Sequence, residues 1–356
     1  MSITIMSITI MAVTLTKLSS GRAKRRFSTM YKHSLAVAAG KDRCVAFFAT
    51  TVQTDQTVIS FFVIDDGMKH APDCVPCLLG RVLFQSRLPD NGKESESVTA
   101  ALKTFAEKIS EEPNSARVAT FVHRSSYEAL GVKDPYLDLK IRADETALRY
   151  GERVKAFIEN SDNKFRAAVK IAILGNIMDF GAGLAIDSPD EFDGIFESLL
   201  GMELAVDHTE EMMNIFKKGG SVVYLFDNCG ETVLDMYLID QIRSMGNKVI
   251  GVVRGEPILN DVTLDDAARI GLEDHLDSIL TTGAFAIGVD MRAIGNELRD
   301  EMNNAGLIIA KGMANFESLG EEELGVPIAY LLKAKCSPVA AELGVKAGDN
   351  VAKLIA

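Results

Sequence analysis

The residues with the greatest chemical reach stand just past short apolar runs. Segment 221–226 (SVVYLF) is followed by Asp227, Asn228, Cys229, Gly230 and Glu231. Segment 248–253 (KVIGVV) is followed by Arg254, Gly255, Glu256 and Pro257, and soon by Asn260, Asp261, Val262 and Thr263. Thr281, Thr282 and Gly283 come after Leu280; Lys311, Gly312 and Asn315 come after Ala310. The carboxylate and amide oxygens of Asp227, Asn228 and Asp261 suit one hard divalent ion such as Mg²⁺ or Mn²⁺. No histidine and no thiolate pair accompanies them, which argues against a zinc site. Lys311 and Arg254 carry the charge to hold phosphate oxygens, and the Arg fork suits bidentate contact. Gly255, Gly283 and Gly312 permit close approach of a ligand, and helix N-termini beyond these loops favour an anion. Metal, cations and helix ends together are equipment for phosphoryl chemistry. Judged alone, Asp227-Asn228 also reads as an Asx turn capping the next helix.

The elements that position these residues divide the chain. From 74 to 218 the apolar residues recur at helical spacing, with helices expected near 74–88, 94–110, 115–130, 137–159, 162–175, 188–200 and 207–217 and no strand longer than two or three residues. After Gly219-Gly220 the period changes. Continuous apolar strands at 221–226, 248–253, 278–281, 307–310 and 328–333 alternate with helices near 232–244, 264–270 and 291–304. That alternation predicts an α/β fold: a helical N-terminal subdomain (68–218) on a doubly wound, mostly parallel α/β/α sandwich (219–356). In such a sheet the C-terminal strand ends share one edge, where ligands bind. Four successive strands deliver polar groups to it.

Residues 1–67 differ. A direct repeat of MSITI opens them, and residues 1–41 hold seven Lys/Arg and no acid. This segment reads as an N-terminal extension, disordered or not native, with translation starting at Met30 or Met68; an organellar transit peptide and a genuine appended segment are the other readings. The whole chain of 356 residues carries a formal charge of −12, so everything beyond the basic segment is more acidic still. That excludes a generic nucleic-acid binder. The five cysteines are odd in number, which disfavours a disulfide framework, and no apolar run is long enough to span a membrane. A reducing, cytoplasmic setting and no membrane partner are expected.

Other motifs count for less. Neither a G-x-G-x-x-G after a strand nor a G-x-x-x-x-G-K-[ST] occurs, and Gly181-Ala182-Gly183 lacks a preceding strand. Cys74-x-x-Cys77 opens a helix, with His70 near; a structural pair, a metal site and a redox pair all remain open. Asn176 and Asp179 end an apolar helix, as local caps or as a polar lip over the site. The scattered His33, His123, His208 and His275 read as ordinary surface or core residues.

Cys74-Val-Pro-Cys77, Gly175-Asn176-Ile-Met-Asp179-Phe180, Asp227-Asn228-Cys-Gly-Glu231, Arg254-Gly255-Glu-Pro-Ile-Leu-Asn260-Asp261-Val-Thr263, Thr281-Thr-Gly283 and Lys311-Gly312-Met-Ala-Asn315-Phe-Glu317 occur in that order. Together they resemble the damage-control phosphatase family, long called a domain of unknown function, in its prokaryotic-type branch bearing CxxC. The resemblance covers about 68–356. It implies a helical region on an α/β/α sandwich and a phosphatase of small phosphorylated metabolites that uses Mn²⁺, Co²⁺, Ni²⁺ or Mg²⁺. The family's metal ligands fall on Asp227, Asn228 and Asp261, and its substrate contacts on Asn176, Asp179, Glu231, Arg254, Asn260 and Lys311.

The expected mechanism is metal-assisted phosphoester hydrolysis, with a water as nucleophile and Glu231 or Asp179 as base. An aspartyl-phosphate through Asp227 is the less favoured route. Two rivals are an S-adenosylmethionine-dependent methyltransferase on the same sheet and a non-catalytic metal- or metabolite-binding protein. The methyltransferase requires a glycine-rich first loop and an acid ending the second strand; here the first loop is acidic and the second strand ends at Arg254.

Overall fold

The computed structural model describes residues 36–39, 44–50, 58–63, 71–180, 188–320 and 322–356. The chain separates into two compact units, Met1–Asp66 and Gly67–Ala356. In the first unit β1 (Ala36–Ala39), β2 (Cys44–Thr50) and β3 (Val58–Val63) form an antiparallel sheet in that order. The remainder of the expected extension lies outside the described residues, as do Gly181-Ala182-Gly183, His33 and His70.

The described part of the second unit opens with six helices: α1 (Cys74–Arg87), α2 (Glu94–Lys108), α3 (Ser115–Leu130), α4 (Leu137–Arg149), α5 (Gly151–Glu159) and α6 (Lys164–Gly175). Their boundaries follow local chemistry. Asn114 and Asn163 cap α3 and α6 by accepting the backbone N–H of Arg117 and Arg166. α6 is apolar on most sides because Phe165, Ala167, Ala168, Val169 and Ile171 through Gly175 are buried, while Arg166 and Lys170 are only partly so.

There follow α7 (Phe192–Leu200), β4 (Leu204–Asp207), α8 (Thr209–Phe216), β5 (Ser221–Leu225), α9 (Glu231–Ser244), β6 (Lys248–Val253), α10 (Leu264–Ile270) and β7 (Ser278–Thr281). The chain ends with α11 (Asn296–Asn304), β8 (Leu307–Lys311), α12 (Gly312–Leu319), β9 (Ile328–Lys333), α13 (Ser337–Leu343) and β10 (Asn350–Ile355). Among the described residues these strands make one seven-stranded sheet in the order β4-β10-β9-β8-β5-β6-β7. β7, β6, β5, β8 and β9 are mutually parallel; β10 is antiparallel to β9 and carries β4 parallel to itself. From β5 the chain winds outward through β6 and β7, then returns to the other side of β5 for β8 and β9. Strand order therefore reverses between β5 and β8.

Alternate residues of each strand enter different cores. Val222, Tyr224 and Phe226 join a cluster with Ile171, Leu234 and Leu238 of α6 and α9. Val223 and Leu225 join another with Leu298, Phe316 and Val339 of α11, α12 and α13. Both faces of the sheet are covered, which is why the strands read as unbroken apolar runs. The α/β/α sandwich is thus as the sequence implies.

Several details depart from expectation. The helical half contains a strand after all, β4, whose four residues alternate half-buried and exposed and gain their place only by pairing with β10. The sheet does not end at β9: α13 and the reversed β10 follow it. The helix expected over 137–159 is two, α4 and α5, with Tyr150 between them packed on Phe192 and Phe196. The segment beginning at Ser188 starts as a single 3₁₀ turn, Pro189–Glu191, before α7.

Candidate active site

The loops after β5 and β6 are joined through their backbones. Asn228 and Asp261 pair as an isolated antiparallel bridge. Cys229 N donates to Asn260 O at 2.8 Å, and Val262 N to Asp227 O at 2.9 Å. This lacing brings Asp227, Asn228 and Asp261 to one place. Asp227-Asn228 is not a helix cap: the N-cap of α9 is Gly230, and its N–H donates to Asp144 Oδ1 at 2.7 Å.

Arg254 lies between the two acids. Its Nε donates to Asp261 Oδ2 at 2.6 Å, Nη2 to Asp227 Oδ1 at 3.3 Å and Nη1 to Asn315 Oδ1 at 3.1 Å. Asn315, on α12, is anchored by Nδ2 on the carbonyls of Phe226 and Lys311. Burial pushes the Asp227 carboxyl well above its ordinary range; Asp261 and Glu231 push the same way and Arg254 opposes them. Asp261 is raised by burial too, again against Arg254. Two buried carboxylates here share one guanidinium.

Asn176, directly after α6, donates from Nδ2 to Glu231 Oε2 at 2.9 Å and to Asp227 Oδ2 at 3.3 Å. Asn228 Nδ2 donates to the same two oxygens, each at 2.9 Å. Glu231 in turn is ion-paired to Lys311, whose ammonium also meets Asp235 Oδ1 at 2.7 Å and Ala172 O at 3.0 Å. Burial pushes Asp235 up to about 7 although Lys311 pulls it down. Asn260 turns its Nδ2 to Met178 O at 2.7 Å, leaving Oδ1 buried without a hydrogen-bond partner.

Gly312 completes the floor. Its φ is +72°, and a Cβ there would sit 1.8 Å from Asp227 Oδ2. A side chain at this position is excluded both by backbone conformation and by space.

Residue type and position assign Lys311 and Arg254 to phosphate oxygens; in the structure both meet internal acids. Lys311 is fully buried with all three ammonium protons committed inside the fold, and Arg254 is buried with every guanidinium nitrogen bonded to Asp227, Asp261 or Asn315. They neutralise buried acids. The same geometry leaves neither candidate base an idle oxygen, since Glu231 is held by Lys311, Asn176 and Asn228.

Asp179 is clamped by Arg81 of α1, Nη1–Oδ1 2.9 Å and Nη2–Oδ2 2.8 Å, and by Lys335 Nζ at 2.8 Å from Oδ2. Burial favours its neutral form, but the two cations outweigh burial and hold the carboxyl far below the usual range. Sequence reasoning missed Arg81 and Lys335. Lys335 had a signal, for it comes after β9 as the other site residues come after their strands. Arg81 had only its position one turn beyond Cys77, in the apolar first half of the helix.

Cys74 and Cys77 begin α1 and are half-buried, as is Cys336. Burial raises the Cys74 thiol and pushes Cys336 up to about 11, with Glu317 and the neighbouring thiols adding to both. That disfavours the thiolate and hence ready redox chemistry. Among the described residues no three His, Cys, Asp or Glu side chains are grouped to hold a metal ion. His123 is buried on Gln85, Nδ1–Oε1 2.7 Å, and lies in the helical core. No helix among the described residues is long and apolar enough to cross a membrane.

Residues 70–351 match the profile of the damage-control phosphatase ARMT1-like domain. A damage-control phosphatase of Archaeoglobus fulgidus is 40% identical over 290 residues, covering 81% of this chain and all of that protein. Damage-control phosphatase PH1575 of Pyrococcus horikoshii is 32% identical over 80% of this chain and 97% of its own length. The crystal structure of a DUF89 family protein from Pyrococcus horikoshii superposes with a TM-score of 0.70 at 29% identity, covering 80% of this chain and 98% of that one.

Proposed function

The chain belongs to the damage-control phosphatase family, and on that premise we propose that it is a divalent-metal-dependent phosphatase of small phosphorylated metabolites. The single observation that carries the metal is the Asn228–Asp261 bridge, with Asp227 beside it and both carboxylates leaning on one Arg254. This donor set fits a hard dication: two carboxylates and an amide, with the unpartnered buried Oδ1 of Asn260 close by in sequence. Two carboxylates alone leave an ion of the Mg²⁺ class dependent on water and substrate oxygens, its usual habit.

Asp227, Asn228 and Asp261 would hold the ion. When bound, it supplies Lewis-acid polarisation of a phosphoryl oxygen and offsets charge that builds during transfer. Arg254 fixes the facing directions of both carboxylates and keeps them from repelling each other when no ion is present. Glu231 and Asn176 orient Asn228 and Asp227, and Lys311 holds Glu231 in place through a buried ion pair.

The test is phosphate release from sugar phosphates and a generic aryl phosphate by chelator-treated protein, with Mn²⁺, Co²⁺, Ni²⁺ or Mg²⁺ added back. Turnover should return with at least one ion and fall roughly 100-fold or more in Asp261→Ala. Full metal-dependent turnover by Asp261→Ala would refute the ligand assignment.

A further inference from the structure

The loop after β6 reaches Asp261 through a buried turn. Ile258 and Leu259 are buried, and Asp261 N donates to Ile258 O at 3.2 Å. Inside that turn Leu259 has a φ of +49°. This is the left-handed region, where an L side chain crowds its own backbone. Among the described residues Asp90 is the one other non-glycine residue with a positive φ, and aspartate tolerates it by bonding locally. A leucine has no such remedy. Strain of this kind persists only where the surroundings over-determine it.

The determining contact comes from the helical half. Leu259 N donates to the hydroxyl oxygen of Tyr127, on α3, at 2.9 Å across 132 residues of sequence. Tyr127 is itself fixed: it is buried, and its ring meets Phe285 edge-on with centroids 5.4 Å apart. The same helix presents Thr120, whose Oγ1 accepts Ile287 N at 2.9 Å. Two hydroxyls of α3 thus receive backbone N–H groups from the loops after β6 and β7. Directly after Leu259, Asn260 gives its Nδ2 to Met178 O and its carbonyl to Cys229 N. Leu259 is therefore the last residue before the lacing that joins the two acid-bearing loops. If its φ relaxed to the usual negative range, the peptide planes on either side would rotate. Asn260 O would then leave Cys229 N, and Asp261 would turn away from Asn228.

We propose that Tyr127 is a positioning residue for the metal site: its hydroxyl, by accepting the Leu259 N–H, holds the left-handed turn that sets Asp261 opposite Asn228. Tyr127 touches neither of these residues and acts through the backbone alone. The consequence for metal binding rests on the metal-dependent reading of the site; the turn and its strut do not.

The deciding measurements use the full-length, chelator-treated protein. Tyr127→Phe keeps the ring on Phe285 and removes only the acceptor. Mn²⁺ titrated calorimetrically should bind this variant about tenfold more weakly than wild type. Amide exchange at Leu259 and Cys229, followed by NMR, should quicken about tenfold. Adding Leu259→Gly should bring Mn²⁺ affinity back to within about threefold of wild type, because glycine holds a positive φ without strain. That recovery is diagnostic. Glycine also strips away a buried side chain, so a tyrosine that only packs predicts a double variant weaker than Tyr127→Phe. That result overturns the proposal, as does wild-type Mn²⁺ affinity in folded Tyr127→Phe. If Tyr127→Phe does not fold, exchange in the wild-type protein decides: a protected Leu259 amide keeps the strut, and one as fast as an exposed loop overturns it. The two readings fail separately. Wild-type protein that binds no Mn²⁺ refutes the metal, and the strut then stands or falls on exchange at Leu259 and Cys229. Mn²⁺ binding that ignores Tyr127→Phe refutes the strut and keeps the metal.

Discussion

Asn228 and Asp261 face each other across a backbone bridge that ties the loop after β5 to the loop after β6. The position of Asp261 is therefore set by main-chain hydrogen bonds, Cys229 N to Asn260 O and Val262 N to Asp227 O, and not by its own carboxylate. Asp261→Asn should leave the loops in place. The metal-free variant should melt within a few degrees of wild type, and the rise in Tm expected when Mn²⁺ is added to the wild-type protein should be absent from the variant. Thermal melts with and without Mn²⁺ check this; an undiminished metal-induced rise would remove Asp261 from the ligand set.

Gly312→Ala should be far worse than its single methyl suggests. The new Cβ meets Asp227 Oδ2 at 1.8 Å, and the backbone is left-handed. The conformational strain alone costs on the order of 1–3 kcal/mol, and Asp227 must also move. Urea unfolding should show that loss, and any folded fraction should bind Mn²⁺ more weakly.

Lys311→Met tests whether this lysine is an internal counter-ion. Removing it leaves Glu231 and Asp235 buried with no cation, a change worth about 3–5 kcal/mol. Adding Asp235→Asn to the variant should recover part of the loss in urea unfolding. A Lys311→Met protein as stable as wild type would return the residue to a substrate role.

Glu317 supplies a pH dependence. Burial pushes its carboxyl up to about 7, with Asp179 adding and Arg81 opposing. Its folded pKa lies above the unfolded value of 4.5, so the folded protein binds the extra proton and is penalised as pH rises from about 4.5 through about 7. Glu317→Gln lacks that proton equilibrium. Its stability relative to wild type should be near zero at pH 4.5 and grow to at most about 3 kcal/mol at pH 8. A difference that is flat with pH in paired urea titrations would sink this.

β5, β6, β8 and β9 were legible because burial on both faces writes itself as nearly unbroken apolar letters, and the polar residues just past each strand could be read as one rim. β4 and β10 were not, since LAVD and NVAKLI carry charge and belong to the sheet only by pairing with each other and with β9. The acids Asp227 and Asp261 were legible for the same rim logic. The ion pairs of Arg254 and Lys311 were not legible, because residue type gives the charge but which internal acid that charge meets depends on side-chain direction, which no spacing encodes. Arg81 reaches Asp179 from a helix 98 residues away in sequence, and Tyr127 is an ordinary core aromatic until its hydroxyl is seen to hold Leu259 N.

The edge pair β4–β10 carries a consequence for biogenesis. Among the described residues β4 joins the sheet through β10 alone, yet the ribosome delivers it well before β5 to β9 and long before β10. Throughout elongation the nascent chain must hold a strand whose only neighbour has not been translated, with the opposite edge of β9 equally open. Such unpaired edges invite sticking to other chains, so chaperone demand should stay high while β4 waits and fall abruptly once β10 pairs.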